Sequence, residues 1–306
     1  MRRATSRSCF ARCRRRHFAL SVSWSRYFQV EEAGVTHEAW REVGDRVFVR
    51  RYSTWGAEPF DQNVGAVLGA DGVAVIDTRA SHRLADELLA DLRRLTCVPL
   101  AAVINTHHHW DHTFGNARFR PTPIWGHARC AVRVRDEGEA MRRRVADQAP
   151  EYAAELADVV FTPPDRTFDA SAVLDLGDRR LELRHLGLGH TDNDIVIAVP
   201  DAATLFVGDL LENDAPPGFG DAFPLAWAET AADLLGFDAS AIVPGHGTVG
   251  DEGFGRRCIE ELRVMAGLAR QVIGGEIGLS DALARAPYPE ATTRLAIDRA
   301  RLEAAG

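Results

Sequence analysis

Thr106-His107-His108-His109-Trp110-Asp111-His112 holds four imidazoles and one carboxylate in seven consecutive positions. Neutral imidazole and carboxylate are the donors that a zinc-type cation takes. The preceding run, Ala101-Ala102-Val103-Ile104-Asn105, reads as a short buried strand. Folds of the α/β type place chemistry on loops that leave such strands. In extended backbone His107 and His109 point to one side and His108 to the other. Asp111 and His112 follow on the turn, where they can face a second ion.

Three later stretches repeat the arrangement. Gly187-Leu188-Gly189-His190-Thr191-Asp192 follows the strand-like Leu181–Leu186. Val207-Gly208-Asp209 follows Ala203–Phe206, and Pro244-Gly245-His246-Gly247 follows Ala241–Val243. Each sets one donor just past an apolar run, with glycine beside it. Glycine lets the backbone turn sharply and approach a ligand closely. Four such coincidences in one chain are hard to assign to chance.

Taken together the stretches read H-x-H-x-D-H, a lone His, an Asp, and a His in a Pro-Gly-His-Gly turn. This combination resembles the metallo-β-lactamase superfamily, from about Val43 to about Gly250 with a helical tail beyond. The resemblance implies an α/β fold, a four-layer αββα sandwich with a dinuclear metal site at one edge. By position it implies that His107, His109 and His190 hold the first metal, that Asp111, His112 and His246 hold the second, and that Asp209 bridges them. Two ions about 3.5–4 Å apart can share one hydroxide and lower its pKa towards neutrality. The expected activity is therefore hydrolysis of an ester, thioester, lactone or lactam by a metal-bridging hydroxide, with Asp111 as the catalytic residue that ligates and orients it. Asp77 matches the family's acidic position behind a ligand histidine, and it reads equally well as a turn or capping aspartate.

Five imidazoles with two carboxylates favour zinc, two per chain, although iron or manganese accept the same donors. The flavodiiron branch carries glutamate where this chain has His109, which argues against a di-iron oxygen reductase. Neither the exosite arm nor the inserted domain of the ribonuclease branch is seen. The alternatives are a mononuclear iron sulfur dioxygenase of the same fold and a non-catalytic metal-binding protein.

The elements that must position these donors are legible in outline. Arg46–Tyr52, Asn63–Gly69 and Val73–Asp77 are short and valine-rich, with Ala70-Asp71-Gly72 as a hairpin turn. Ser81 reads as an N-cap for a helix over Leu84–Leu95. Ile124–Gly126 is a short strand, and His127–Gln148 a charged helix with one exposed face. Val173–Gly177, Leu181–Leu186, Ile195–Val199 and Thr204–Val207 are four successive strands. The tail Asp251–Ala305 is helical, broken by Pro287 and Pro289. Glu212–Pro224 is a long loop whose aromatics could wall a substrate pocket, opposite Trp55, Phe60 and Trp110. Arg184 and Arg129 are the cations available to grip a substrate carboxylate. His82 and His127 sit at helix starts, His185 in a strand, and His108 behind the cluster; all four read as structural.

Of 36 basic residues, eight arginines lie in residues 1–30, which hold no acid; from Glu31 onward 28 basic residues face 44 acidic ones. An acidic body argues against nucleic acid as partner and leaves a small-molecule substrate. The chain has no lysine, which excludes Schiff-base chemistry and a P-loop with its usual Lys. No apolar run reaches membrane-spanning length. Five cysteines without a tight pairing pattern suit reduced thiols in the cytoplasm. Residues 1–34 read as a basic disordered leader before a hydrolase domain over 35–306, with Val35 as an alternative start. Within the leader, Arg15–Leu20 faintly resembles a twin-arginine export signal, but Arg26 interrupts the apolar stretch. Cys9, Cys13 and His17 lack the fourth ligand of a zinc clip.

Overall fold

The computed structural model describes residues 39–53 and 61–305 of the chain. The leader, the Cys9–Cys13–His17 group, His37, Trp55 and Phe60 lie outside the described residues.

The first sheet runs β1 Arg41–Gly44, β2 Val47–Ser53, β3 Asp61–Leu68, β4 Val73–Ile76, β5 Leu100–Ile104, β6 Ile124–His127 and β7 Arg166–Phe168, in that spatial order. Neighbours are antiparallel up to β4 and parallel from β4 to β7. The second sheet contains β8 Ser171–Asp175, β9 Arg180–Arg184, β10 Val196–Val199, β11 Thr204–Gly208 and β12 Ala241–Pro244, ordered β12-β11-β10-β9-β8. Only β11 and β12 pair in parallel there.

Side-chain alternation along the strands builds the layers. Ala74, Ile76, Ala102 and Ile104 point inward from the first sheet and meet Leu181, Leu183, Ile197 and Phe206 of the second. The odd partners Val73, Val75 and Val103 point outward onto α1 (His82–Leu95), through Ala85, Leu88 and Leu92. On the far side Val196, Leu205, Val207 and Ile242 pack against α5 (Pro224–Ala232), α6 (Glu252–Ile273) and α8 (Glu290–Ala305). The result is the four-layer αββα sandwich. Strands buried on both faces need continuous apolar runs, and β4 (Val-Ala-Val-Ile) and β10 (Val-Ile-Ala-Val) supply them.

Helix ends follow local chemistry. Ser81 caps α1 by accepting from the Leu84 amide, and Asp251 caps α6 by accepting from the Phe254 amide. The charged helix over 128–148 is α3 (Ala128–Gln148); it buries Cys130, Val134, Gly138, Met141 and Val145, one stripe at helical spacing. Helix α2 is a single turn, Trp110–Thr113, and α4 is Ala153–Ala157. Helix α7 (Leu279–Arg285) stops before Pro287, as the tail's prolines require. Among the described residues no helix is long and apolar enough to cross a membrane.

The parallel pairs matter most for function. The carboxyl ends of β4 and β5 in one sheet, and of β11 and β12 in the other, open at the same edge of the sandwich. The turn between β9 and β10 joins them there, because the Ile195 amide donates to the Thr106 carbonyl at 2.8 Å.

Candidate metal centre

The loop leaving β5 carries His107, His108 and His109, and the next turn, α2, carries Asp111 and His112. His190 arrives from the β9–β10 connection, Asp209 directly follows β11, and His246 lies two residues past β12. The structure brings all seven predicted donors together. His107, His109, His190 and Asp209 form one group and Asp111, His112 and His246 another, each with donor atoms within 4.8 Å of one another. Asp209 stands between them: Oδ2 is 3.6 Å from His107 Nε2, 3.8 Å from His190 Nε2 and 3.4 Å from His246 Nε2, while Oδ1 is 3.4 Å from His112 Nε2. Asp111 Oδ2 lies 3.3 Å from His112 Nε2 and 3.2 Å from His246 Nε2.

The far side of each ring decides which nitrogen is free. Thr106 Oγ1 donates to Asp77 Oδ2 at 2.9 Å, so it can only accept from His107 Nδ1, 3.1 Å away. His112 Nδ1 donates to Asp77 Oδ2 at 2.8 Å, and His246 Nδ1 donates to the Asp61 carbonyl at 3.0 Å. In these three rings the hydrogen sits on Nδ1 and the lone pair on Nε2 points to the centre. His109 is reversed: its Nε2 donates to Asp221 Oδ1 at 3.0 Å, leaving Nδ1 free. His190 Nδ1 faces Asp194 Oδ1 at 3.6 Å, with Nε2 turned to Asp209. Metal-ligating histidines are held from behind in this way. His107 Nε2, His112 Nε2 and Asp209 Oδ1 are buried without a hydrogen-bond partner. An unsatisfied buried polar atom costs about 1–3 kcal/mol, so three around one point fit a cation and fit little else.

Electrostatics agree. Burial would raise Asp209 and Asp111, but the surrounding imidazoles hold both carboxyls well below the usual range. Burial would lower His112 and His246, but the carboxylates of Asp111 and Asp209 raise both well above it. For His190 the burial penalty is outweighed by Asp194 and Asp209, which push it up to about 9. The centre therefore favours positive charge.

Two backbone features make the convergence possible. Asp77 sits at φ 65°, a region aspartate tolerates better than most residues, and its carboxylate receives the Thr106 amide as well as the two side chains above. Of its two sequence readings, the one behind a histidine is what the structure shows. Gly245 must be glycine because a Cβ there would fall 1.9 Å from Asp209 Oδ1. The His246 turn is then latched to β3: Asn63 Nδ2 donates to the carbonyls of Pro244 and Gly247 at 3.0 and 2.8 Å. Gln62 Nε2 donates to the Asp111 carbonyl at 2.6 Å.

Several expectations are corrected. Phe219 of the Glu212–Pro224 loop does not wall a pocket; it is buried against Trp227 and Tyr288, ring centroids 5.1 and 5.9 Å away. Trp110 packs beside Phe114 and Met141 instead of lining a mouth. Arg184 pairs with Glu182 and lies over Phe237, while Arg129 donates to the Asp192 carbonyl, so neither touches the seven donors. Pro224, the last residue of that stretch, begins α5 as an N-terminal proline can. His185 stands just past β9 and donates to the Asp194 carbonyl at 2.8 Å. His127 caps α3 as expected. Sequence reasoning missed Asp221, Asp194, Gln62 and Asn63. Only Asp194 had a local signal, the Thr191-x-x-Asp194 turn in which it accepts the Thr191 amide at 2.6 Å.

Comparison with known proteins places this geometry. The family model of the metallo-beta-lactamase superfamily matches residues 57–246. A metallo-beta-lactamase type 2 of Bacillus sp. (strain 170) is 25% identical over 195 residues, 62% of this chain and 68% of that protein. One of Bacteroides fragilis is 31% identical over 119 residues, 37% of this chain and 48% of that protein. The solved metallo-beta-lactamase from Pontibacter korlensis shares the fold with a TM-score of 0.60 at 21% identity, covering 73% of this chain and 98% of that one. With a sandwich of this topology and a histidine–aspartate cluster at its edge, the chain belongs to the metallo-beta-lactamase superfamily.

Proposed function

We propose that the protein is a dinuclear-metal hydrolase, loaded with zinc, that cleaves an ester, thioester, lactone or lactam bond. The observation that carries this reading is the orientation of five imidazoles. His107, His109, His112 and His246 are hydrogen-bonded from behind, which leaves one nitrogen of each for an ion, and His190 turns its Nε2 towards Asp209.

In this reading His107, His109 and His190 hold one ion, Asp111, His112 and His246 hold the other, and Asp209 holds both. Such a pair supplies a water acidified towards neutral pH and a polarised carbonyl oxygen. The remaining chemistry falls to the chain. Asp111, buried between His112 and His246, stays ionised and is placed to orient the attacking water. Asp209 fixes the spacing of the two halves of the site. His109 and His246 are the most exposed of the donors, with 16% and 11% of their side chains open, so substrate approaches between them. Cys130 and Cys258 are free thiols, which supports a reducing, cytoplasmic setting.

The test is a panel of thioester, lactone and β-lactam substrates on metal-quantified protein. The expected result is about two zinc ions per chain and turnover of at least one class. Asp111→Asn should keep the fold and lose turnover. Two-zinc protein that cleaves none of the classes, or an Asp111→Asn variant as fast as wild type, contradicts the reading.

A further inference from the structure

Asp221 belongs to no strand or helix, yet it meets two consecutive histidines. Its Oδ1 accepts from His109 Nε2 at 3.0 Å and its Oδ2 lies 3.4 Å from His108 Nε2. By atom positions alone His108, His109 and Asp221 could be taken for a third cation site. The hydrogen positions argue otherwise. Asn193 Nδ2 donates to Asp192 Oδ1 at 2.8 Å, which fixes the orientation of its amide. The same nitrogen is 3.0 Å from His108 Nδ1, which must therefore accept. His108 then carries its hydrogen on Nε2, aimed at Asp221. His108 is buried and has no lone pair left to offer an ion.

We propose that Asp221 is a positioning residue: its carboxylate takes the Nε2 hydrogen of His109 and faces that of His108, fixing Nδ1 of His109 as a donor to the first ion. The inference rests on the metal-centre reading above and extends it. His108 and Asn193 support the brace from behind. Asn193 belongs to the His190 turn, where its amide donates to Thr191 Oγ1 at 3.1 Å. One network thus joins the β5 loop, the His190 turn and the loop after Asp209. That last loop is pinned near both ends, where Asn213 donates to the His246 carbonyl and Phe223 to the Gly189 carbonyl. Asp221 ties its later part to the histidines.

The test is zinc titration of metal-free protein against a chromophoric chelator, for wild type, Asp221→Ala and Asp221→Asn. Cobalt absorption spectra and melting of the metal-free chains accompany it. Asp221→Ala should weaken one of the two ions about 10- to 100-fold, leave the other within about threefold, and shift the cobalt bands of one site. Asp221→Asn should recover part of the loss, because an amide oxygen can accept from one imidazole while its NH2 cannot accept from the other. Melting of the metal-free chain should not move. Variants that bind both ions as tightly as wild type overturn the proposal. So does equal weakening of both ions together with a lower melting temperature, which is the mark of a merely structural loop contact. Wild type that binds no divalent ion would bring down the metal-centre reading itself, a result visible before any variant is made.

Discussion

The two sheets contribute to the candidate site in different ways. The first supplies four donors, His107, His109, Asp111 and His112, from one loop and the helical turn after it. Support for His107 and His112 comes from their own sheet, through Asp77 at the end of β4 and Thr106 at the end of β5, while His109 leans on Asp221 from the loop after β11. The second sheet supplies three donors, His190, Asp209 and His246, each from a separate connection. Much of their support crosses between the sheets: Asn63 holds the His246 turn, and His246 itself donates to the Asp61 carbonyl. One half is thus a preassembled cluster, and the other is a set of isolated side chains whose position depends on main-chain latches.

The sharpest way to break this contrast is at Asp209, where the halves meet. Asp209→Ala should lower zinc content from two ions to at most one and reduce hydrolysis by more than about 100-fold, as loss of a shared ligand must exceed loss of a supporting one. Metal analysis with kinetics on the same sample checks this. Gly245→Ala comes next. Its new methyl would enter the space of Asp209 Oδ1, so zinc content should fall while the circular-dichroism spectrum stays unchanged. Normal zinc content in that variant would mean that the second half tolerates displacement.

Smaller effects separate the two kinds of support. Asp77→Asn should weaken metal affinity about 10- to 100-fold, since it loosens His112 and Thr106 together. Asn63→Ala removes two bonds to the His246 turn and leaves buried carbonyls unpaired, costing about 1–3 kcal/mol in urea denaturation. If Asn63→Ala leaves both stability and zinc affinity intact, the latch has no role.

The smallest effect concerns the seam between halves away from the donors. His127, the last residue of β6, faces His185, just after β9, with ring centroids 4.3 Å apart. Burial, and then the neighbouring His185, lower the pKa of His127. Folding therefore favours its neutral form. Its contribution is complete above the unfolded value of about 6.5 and is lost as pH falls through that value towards the folded one. Between pH 7.5 and 5.5 the urea midpoint of metal-free wild type should fall relative to that of metal-free His127→Gln. A midpoint with the same pH dependence in both chains would exclude the effect.

The same contrast explains what the sequence made legible. The β5 loop announces itself because its donors are adjacent, and an extended backbone alone separates His107 and His109 from His108. The isolated donors were readable for another reason: glycines beside His190, Asp209 and His246 mark places where the chain must come close to something. Inner strands such as β4 and β10 were visible as continuous apolar runs. What stayed hidden was whatever depends on contact across the fold. Asp221 and Asn63 carry no local pattern, and their partners lie far along the chain. Phe219 shows the same limit from the other side: an aromatic in a glycine- and proline-rich loop suggested a pocket, but tertiary packing drew it into the core beneath Trp227. Short edge strands such as β7, at Arg166–Phe168, have too few residues for alternation to show.

The most direct measurement is an anomalous-difference map from crystals grown with zinc. The account predicts two peaks, one among His107, His109 and His190 and the other among Asp111, His112 and His246, with Asp209 reaching both. A single peak outside these groups, or none between the histidine cluster and Asp209, would contradict it.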